Sequence, residues 1–280
     1  MPGRYKFTAL DSLFGVEGSP VMQSIRETIA RIAMSDLGVL IVGESGTEKE
    51  VLARRIHELS GRSSREFVHL NCCSFTEDLS GRALFGSEDL TLTGIEVRRG
   101  IVELANGGTI YFDQITELPP SVHTRICRAV ENRQFRRVDG FEPVGVNVRV
   151  IASINRRSGD TMRYEEPGHT PYCNMCTIYI NLPPLRERRE DIPILIEQFM
   201  LEAKNLTVHH PAGITTEALD LFLSYDWPGN AQELYQAMEY ALDACSDQFI
   251  RKNHLPEYMQ RHDWKQTRLR ANEPTLTWDS

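Results

Sequence analysis

The segment Gly43-Glu-Ser-Gly-Thr-Glu-Lys49-Glu50 follows directly on the apolar run Val39 to Val42 and precedes Val51, Leu52, Ile56 and Leu59 at helical spacing. A glycine-bearing turn between a buried strand and a helix gathers backbone N–H groups and the positive helix end around one point, which is chemistry for holding phosphate. The spacing is that of GxxxxGK[ST] with two changes: Glu48 stands where the second glycine belongs, and Glu50 where a hydroxyl residue belongs. A carboxylate at 48 brings a side chain where backbone should meet phosphate. Its charge opposes theirs by roughly 4 kcal/mol per like pair at about 4 Å and an effective dielectric of about 20, and rotation of the side chain into solvent would recover most of that. Weakened nucleotide binding is the expectation.

A second chemistry-bearing stretch is Gly107-Gly-Thr-Ile-Tyr-Phe-Asp113-Gln114, an apolar strand ending in an acid. Asp113 is the candidate to hold Mg²⁺ through water. The residue after it would activate the attacking water, but Gln114 cannot accept a proton, and a missing general base costs roughly 10²–10⁴ in rate. Cys173 and Cys176 form a lone CxxC that would need distant help, from His169 for instance, to hold zinc.

The elements that must position these residues are legible in the pattern. Buried-strand runs at Val39 to Val42, Phe67 to Leu70, Thr109 to Phe112 and Val146 to Ile154 are interleaved with helical patterns at Val21 to Ala33 and Ser121 to Glu131. Strands alternating with helices predict an α/β fold with a mostly parallel sheet covered on both faces. After Leu182-Pro183-Pro184 the strand signals stop and three helices are predicted, over 191–204, 216–223 and 230–244, with Thr215 or Thr216 capping the second. This divides the chain into an α/β core over 1–184, a small all-helical domain over 185–258 and a tail over 259–280. Arg186, Arg188 and Arg189 read as a solvated junction between the two domains, with an inter-subunit salt-bridge set as the alternative. Arg133, Arg136 and Arg137 read as favouring a helix C-terminus and water.

Composition bounds the rest. The 280 residues carry 31 Lys and Arg against 39 Asp and Glu, a net charge of −8, so no overall positive field draws the chain to nucleic acid or anionic lipid. The longest apolar runs fall far short of a membrane span, and nothing resembles a signal core, so cytoplasmic placement without membrane association is expected. Six sparse cysteines, two of them adjacent, point to free thiols rather than a disulfide framework.

With GESGTEKE at 43–50 stand FVHLNC at 67–72, LFG at 84–86, ELANGGTIYFD at 103–113, NLPPLRERREDIP at 181–193 and WPGNAQEL at 227–234. Together these resemble the central AAA+ domain of bacterial enhancer-binding proteins, the activators that remodel sigma-54 RNA polymerase, from about Leu13 to Pro256. The resemblance implies an AAA+ P-loop core followed by a helical lid. It implies a nucleotide site made by Gly43, Glu44, Ser45, Gly46, Thr47, Glu48, Lys49, Glu50, Asp113 and Asn155. Asp113 would serve the metal, Asn155 would sense the terminal phosphate, and Asn71 would act as the switch, with Gln114 as its partner. Glu50 is usual in that family; Glu48 is a departure.

Other departures follow the same direction. Gly168 and Asn174 occupy the places of the two arginines a neighbouring subunit supplies, and a finger of that kind is worth about 10³–10⁵ in rate. Gln232 replaces the lid arginine. In the loop that touches sigma-54, Leu92 replaces the aromatic while Thr93 and Gly94 remain. The resemblance thus implies ATP and Mg²⁺ as weak or vestigial ligands, with no catalytic position intact at Gln114, Gly168, Asn174 or Gln232. It implies a ring formed with itself or an AAA+ relative and contact with sigma-54 RNA polymerase. No helix-turn-helix fits after Pro256, so no DNA-binding domain of its own is expected. The implied role is regulation of transcription through an active relative. The alternatives are a weak ATPase completed by a partner subunit, or a sensor of another nucleotide.

Overall fold

The computed structural model describes residues 18–91, 94–156, 175–204, 211–260 and 276–277. Its chain divides into two compact units, one of Glu27–Glu44 and Lys49–Leu182, the other of Met1–Arg26, Ser45–Glu48 and Pro183–Ser280.

In chain order the elements are α1 (Pro20–Ile32), β1 (Val39–Gly43), α2 (Lys49–Glu58), β2 (Phe67–Asn71), α3 (Glu77–Phe85), β3 (Ser87–Thr91), β4 (Gly94–Arg98) and α4 (Ile101–Leu104). There follow β5 (Thr109–Asp113), α5 (Pro120–Asn132), β6 (Gln134–Arg136), β7 (Pro143–Gly145), β8 (Arg149–Asn155) and β9 (Ile178–Leu182). The second unit adds α6 (Ile192–Lys204), β10 (Gly213–Ile214), α7 (Thr216–Ser224), α8 (Asn230–Ala244), β11 (Phe249–Ile250), α9 (Glu257–Gln260) and β12 (Leu276–Thr277).

The first unit is built on a five-stranded parallel sheet in the order β2-β5-β8-β1-β9. Every residue of β1 is buried, as are the first six of β8, because a parallel sheet covered on both faces has no solvated side to alternate toward. Leu40, Val42, Ile110, Phe112, Val150, Ala152 and Ile154 share one core cluster with Leu84, Phe85, Val122 and Ile126 of α3 and α5. Leu52, Ala53 and Ile56 of α2 are fully buried as well. The sheet's carboxyl ends are in register, Asn71 opposite Asp113 and Gly43 opposite both Asn155 and Leu182.

Arg149 opens β8 as a charged residue in an apolar strand and is only 1% exposed. Its Nη1 donates to Ala33 O at 2.6 Å and its Nη2 to Ile32 O at 3.1 Å, so a cation caps the carbonyl end of α1 where the helix dipole favours it. Replacement Arg149→Met is expected to cost about 1–3 kcal/mol, because two buried carbonyls lose their donors. A urea midpoint within error of wild type would refute this.

Two hairpins leave the sheet, β3–β4 and β6–β7. Their bases are bonded together: Glu88 N donates to Val138 O at 3.0 Å, and Val138 N to Gly86 O at 2.9 Å. Arg137 bridges Glu88 and Glu103 at 2.8 and 3.0 Å, and Arg82 bridges Asp89 and Asp139 at 2.9 and 2.6 Å. Arg137 is thus a half-buried strut rather than the solvated cation expected from the sequence. The glycine of LFG is required here: Gly86 has φ +74, and a Cβ on it would lie 2.2 Å from Arg98 O.

In the second unit the three predicted helices are present as α6, α7 and α8, but the strand signals do not stop at 184. β10 pairs with β11 in parallel and with β12 antiparallel. Each of these strands is two residues long, too short to show a period. Thr215 precedes α7 without a side-chain cap; its Oγ1 instead donates to Ile250 O at 3.3 Å. The arginine run is no solvated junction either. Arg188 is 2% exposed, while Arg189 donates to Leu223 O at 2.6 Å and pairs with Asp226 at 2.7 Å. Asp191 accepts from Ser19 N and Oγ at 2.6 and 3.0 Å and lies 3.8 Å from Arg188 Nη1.

Candidate functional site

In the first unit the sheet's carboxyl edge collects Gly43, Asn71, Asp113 and Asn155, the edge at which open α/β sheets bind ligands. Lys49, at the start of α2, turns back over this edge. Its Nζ donates to Glu44 O at 2.7 Å and Gly43 O at 3.2 Å. Burial pulls its pKa down to about 8, against the opposing pull of Asp113 and Glu44. Among the described residues no carboxylate is in hydrogen-bond contact with this ammonium.

Asp113 Oδ1 accepts from Ser153 Oγ at 2.6 Å and from Tyr111 OH at 3.1 Å. Ser153 Oγ in turn accepts from Gln114 N at 3.0 Å, and Gln114 takes up φ +56. Ser153 therefore orders both candidate residues. The sequence reading passed over it, although a lone hydroxyl inside the apolar strand Val150-Ile-Ala-Ser-Ile154 is a visible signal. Asn71 Oδ1 accepts from Cys73 N at 3.0 Å and caps the short turn after β2. Glu50 is fixed by Arg54 and by His69 Nδ1, each at 3.2 Å. The His69 bond holds the Glu50 carboxyl below its usual range, and the same bond raises the His69 imidazole.

In the second unit the loop residues Ser45–Glu48 lie on the start of α8. Asn230 Nδ2 donates to Ser45 O at 2.8 Å, and Ala231 N donates to Gly46 O at 3.1 Å. A Cβ on Gly46, whose φ is +76, would sit 2.1 Å from Gly229 O and 3.3 Å from Gln232 Cβ. Both the glycine and the position of Gln232 are therefore set by this close approach. The rest of WPGNAQEL builds the helix start. Trp227 is fully buried and donates from Nε1 to Phe222 O at 2.8 Å, Gly229 N donates to Glu233 Oε2 at 2.7 Å, and Asn230 Oδ1 accepts from Leu185 N at 2.7 Å.

Glu48 takes the left-handed backbone shape of the glycine it replaces, φ +71. Its side chain does not rotate into solvent as expected: Oε1 accepts from Tyr235 OH at 3.1 Å, and Oε2 is buried without a hydrogen-bond partner. Burial pushes the carboxyl up to about 7, against the pull of Arg188 and of the Tyr235 bond. The like-charge opposition to phosphate is correspondingly reduced near neutral pH.

Gly168, Asn174, Leu92 and Thr93 lie outside the described residues, as do Cys173 and His169; Gly94 begins β4. Cys176 is buried, and the described residues hold no cluster of three or more His, Cys, Asp or Glu suited to a metal. Asp113 alone, a carboxylate with a hydroxyl network behind it, fits an outer-sphere role toward a nucleotide-borne Mg²⁺. Among the described residues no helix is long and apolar enough to cross a membrane.

Residues 16–175 match the Sigma-54 interaction domain, and residues 186–272 match the AAA+ ATPase lid domain. The chain belongs to the sigma-54 interaction domain family. It is 38% identical over 245 residues to the transcriptional regulatory protein ZraR of Salmonella typhimurium, covering 87% of this chain and 56% of that protein. It is 35% identical over 247 residues to the transcriptional activator RocR of Bacillus subtilis, covering 88% of this chain and 53% of RocR. The crystal structure of NtrX from Brucella abortus in complex with ATP superposes with a TM-score of 0.75 at 30% identity, over 87% of this chain and 54% of NtrX. The chain thus spans about half the length of these relatives. Membership of the family establishes the α/β AAA+ core with its helical lid domain.

Proposed function

We propose that this chain is a degenerate sigma-54 activator-type AAA+ module that binds ATP and Mg²⁺ weakly, hydrolyses little or nothing, and regulates transcription through protein contacts with an active relative. The observation that carries the reading is Gln114. The base position beside Asp113 holds an amide, in a backbone pose fixed by Ser153, and among the described residues no carboxylate bonds to it. Glu48 in the loop and Gln232 in α8 point the same way, as do Gly168 and Asn174 in the sequence. The nucleotide is taken from the relatives: NtrX was crystallised with ATP, and the loop here retains Gly43, Gly46 and Lys49. Contact with sigma-54 RNA polymerase, ring formation and cytoplasmic placement follow from the same kinship.

Phosphate release by the pure protein tests this. Turnover at background is expected, whereas turnover well above it that Lys49→Ala removes would reject the reading. The retention of Lys49, Asp113 and Asn155 at one sheet edge favours a second version, in which a partner subunit completes the site. Mixing with a catalytically competent family member then raises phosphate release above that of the member alone; an unchanged rate excludes this version.

A further inference from the structure

Two buried groups of opposite charge in the second unit lack the hydrogen bonds their burial demands. Arg188 has a fully buried side chain, and its Nε, Nη1 and Nη2 all lack a hydrogen-bond partner. Its one ion pair among the described residues is long, 3.8 Å to Asp191, and Asp191 is already engaged by Ser19. Glu48 Oε2 is equally unsatisfied, and Arg188 is the cation whose field it feels. Buried guanidinium groups are retained where an anion answers them.

The other Glu48 oxygen is bonded to Tyr235, whose ring stacks on Phe199 of α6 at 6.1 Å. An L residue at φ +71 is strained, so what its side chain touches must hold it there. In the same stretch the carbonyls of Ser45 and Gly46 accept from Asn230 and Ala231.

We infer that Glu48 is a tether: through its bond to Tyr235 it fastens loop residues 45–48 to α8 when no nucleotide is bound, and nucleotide binding must release it. The substitution at 48 then does more than oppose phosphate by charge. Only the last clause of the inference rests on the nucleotide reading above.

The reporter is the Ala231 amide, which donates to Gly46 O outside the helix ladder. In the nucleotide-free full chain, hydrogen exchange at this amide is expected to quicken about ten-fold or more in both Tyr235→Phe and Glu48→Gly. Affinity for ADP is expected to rise by a similar factor in Glu48→Gly. Tyr235→Phe leaves the loop backbone untouched, which separates loss of the fastening from glycine's own freedom, and it carries the test alone if Glu48→Gly does not fold. Unchanged exchange overturns the inference. So does a rise in ADP affinity with unchanged exchange, which would make Glu48 a repelling charge only. Faster exchange with ADP binding undetectable in every variant upholds the fastening and instead rejects the nucleotide reading.

Discussion

Replacing Trp227 by alanine is expected to lower unfolding stability by about 3–5 kcal/mol, the range for removing a large buried aromatic. The indole is fully buried, stacks on Phe222 at 5.6 Å and meets Tyr225 edge-on at 5.0 Å. Its Nε1–H is the donor to Phe222 O, so truncation also leaves a buried carbonyl unpaired. Trp227 has φ +50, a pose held by these contacts and no cheaper for alanine. The loss falls on the turn that presents Asn230 and Ala231 to Ser45 and Gly46, so the loop contacts should be lost with it. Urea unfolding followed by circular dichroism reads the effect; a loss below about 1 kcal/mol would mean that the turn is held by something else.

Lys49→Met is expected to move binding and stability in opposite directions. Binding of ADP should fall at least about 100-fold, since a buried cation whose charge is coupled to Asp113 is removed. Stability at pH 7 should instead rise by about 1–3 kcal/mol, because the folded protein holds the ammonium at a pKa of about 8, below its usual 10.5. The sign follows from proton counts. Between these two values the unfolded chain binds more protons than the folded one, so wild-type stability climbs from about pH 8 toward 10.5, and the methionine variant lacks that climb. Thermal melts across that window, compared with those at pH 7, check it. A variant less stable at neutral pH would show that the bonds to Gly43 and Glu44 outweigh the burial of charge.

The sheet was readable because burial on both faces writes itself as an unbroken apolar run, as in Val39 to Val42. β9 was not: Ile178-Tyr-Ile-Asn-Leu182 is an edge strand with mixed exposure, and its pattern resembles a loop. Gly43 and Asp113 were singled out from a loop motif and a strand end, Asn155 and Asn71 from the family resemblance, and the register brings all four to one edge. Their supports were missed. Ser153 and Tyr111 act through side-chain geometry that spacing does not encode, and Arg188 sits in a run of charges that normally faces water. Glu48 was expected to turn into solvent, whereas its carboxyl is buried. Only tertiary structure puts Tyr235, 187 positions away, within reach of its carboxylate.

The bonded bases of the two hairpins carry a mechanical consequence. With Val138 paired to both Gly86 and Glu88, and Arg137 gripping Glu88 and Glu103, neither arm can tilt without dragging the other. Phe141, 84% exposed between β6 and β7, therefore rides on the same pivot as β3 and β4. A push delivered at one tip is felt at its neighbour, and cutting the Arg137 strut would let the arms swing separately.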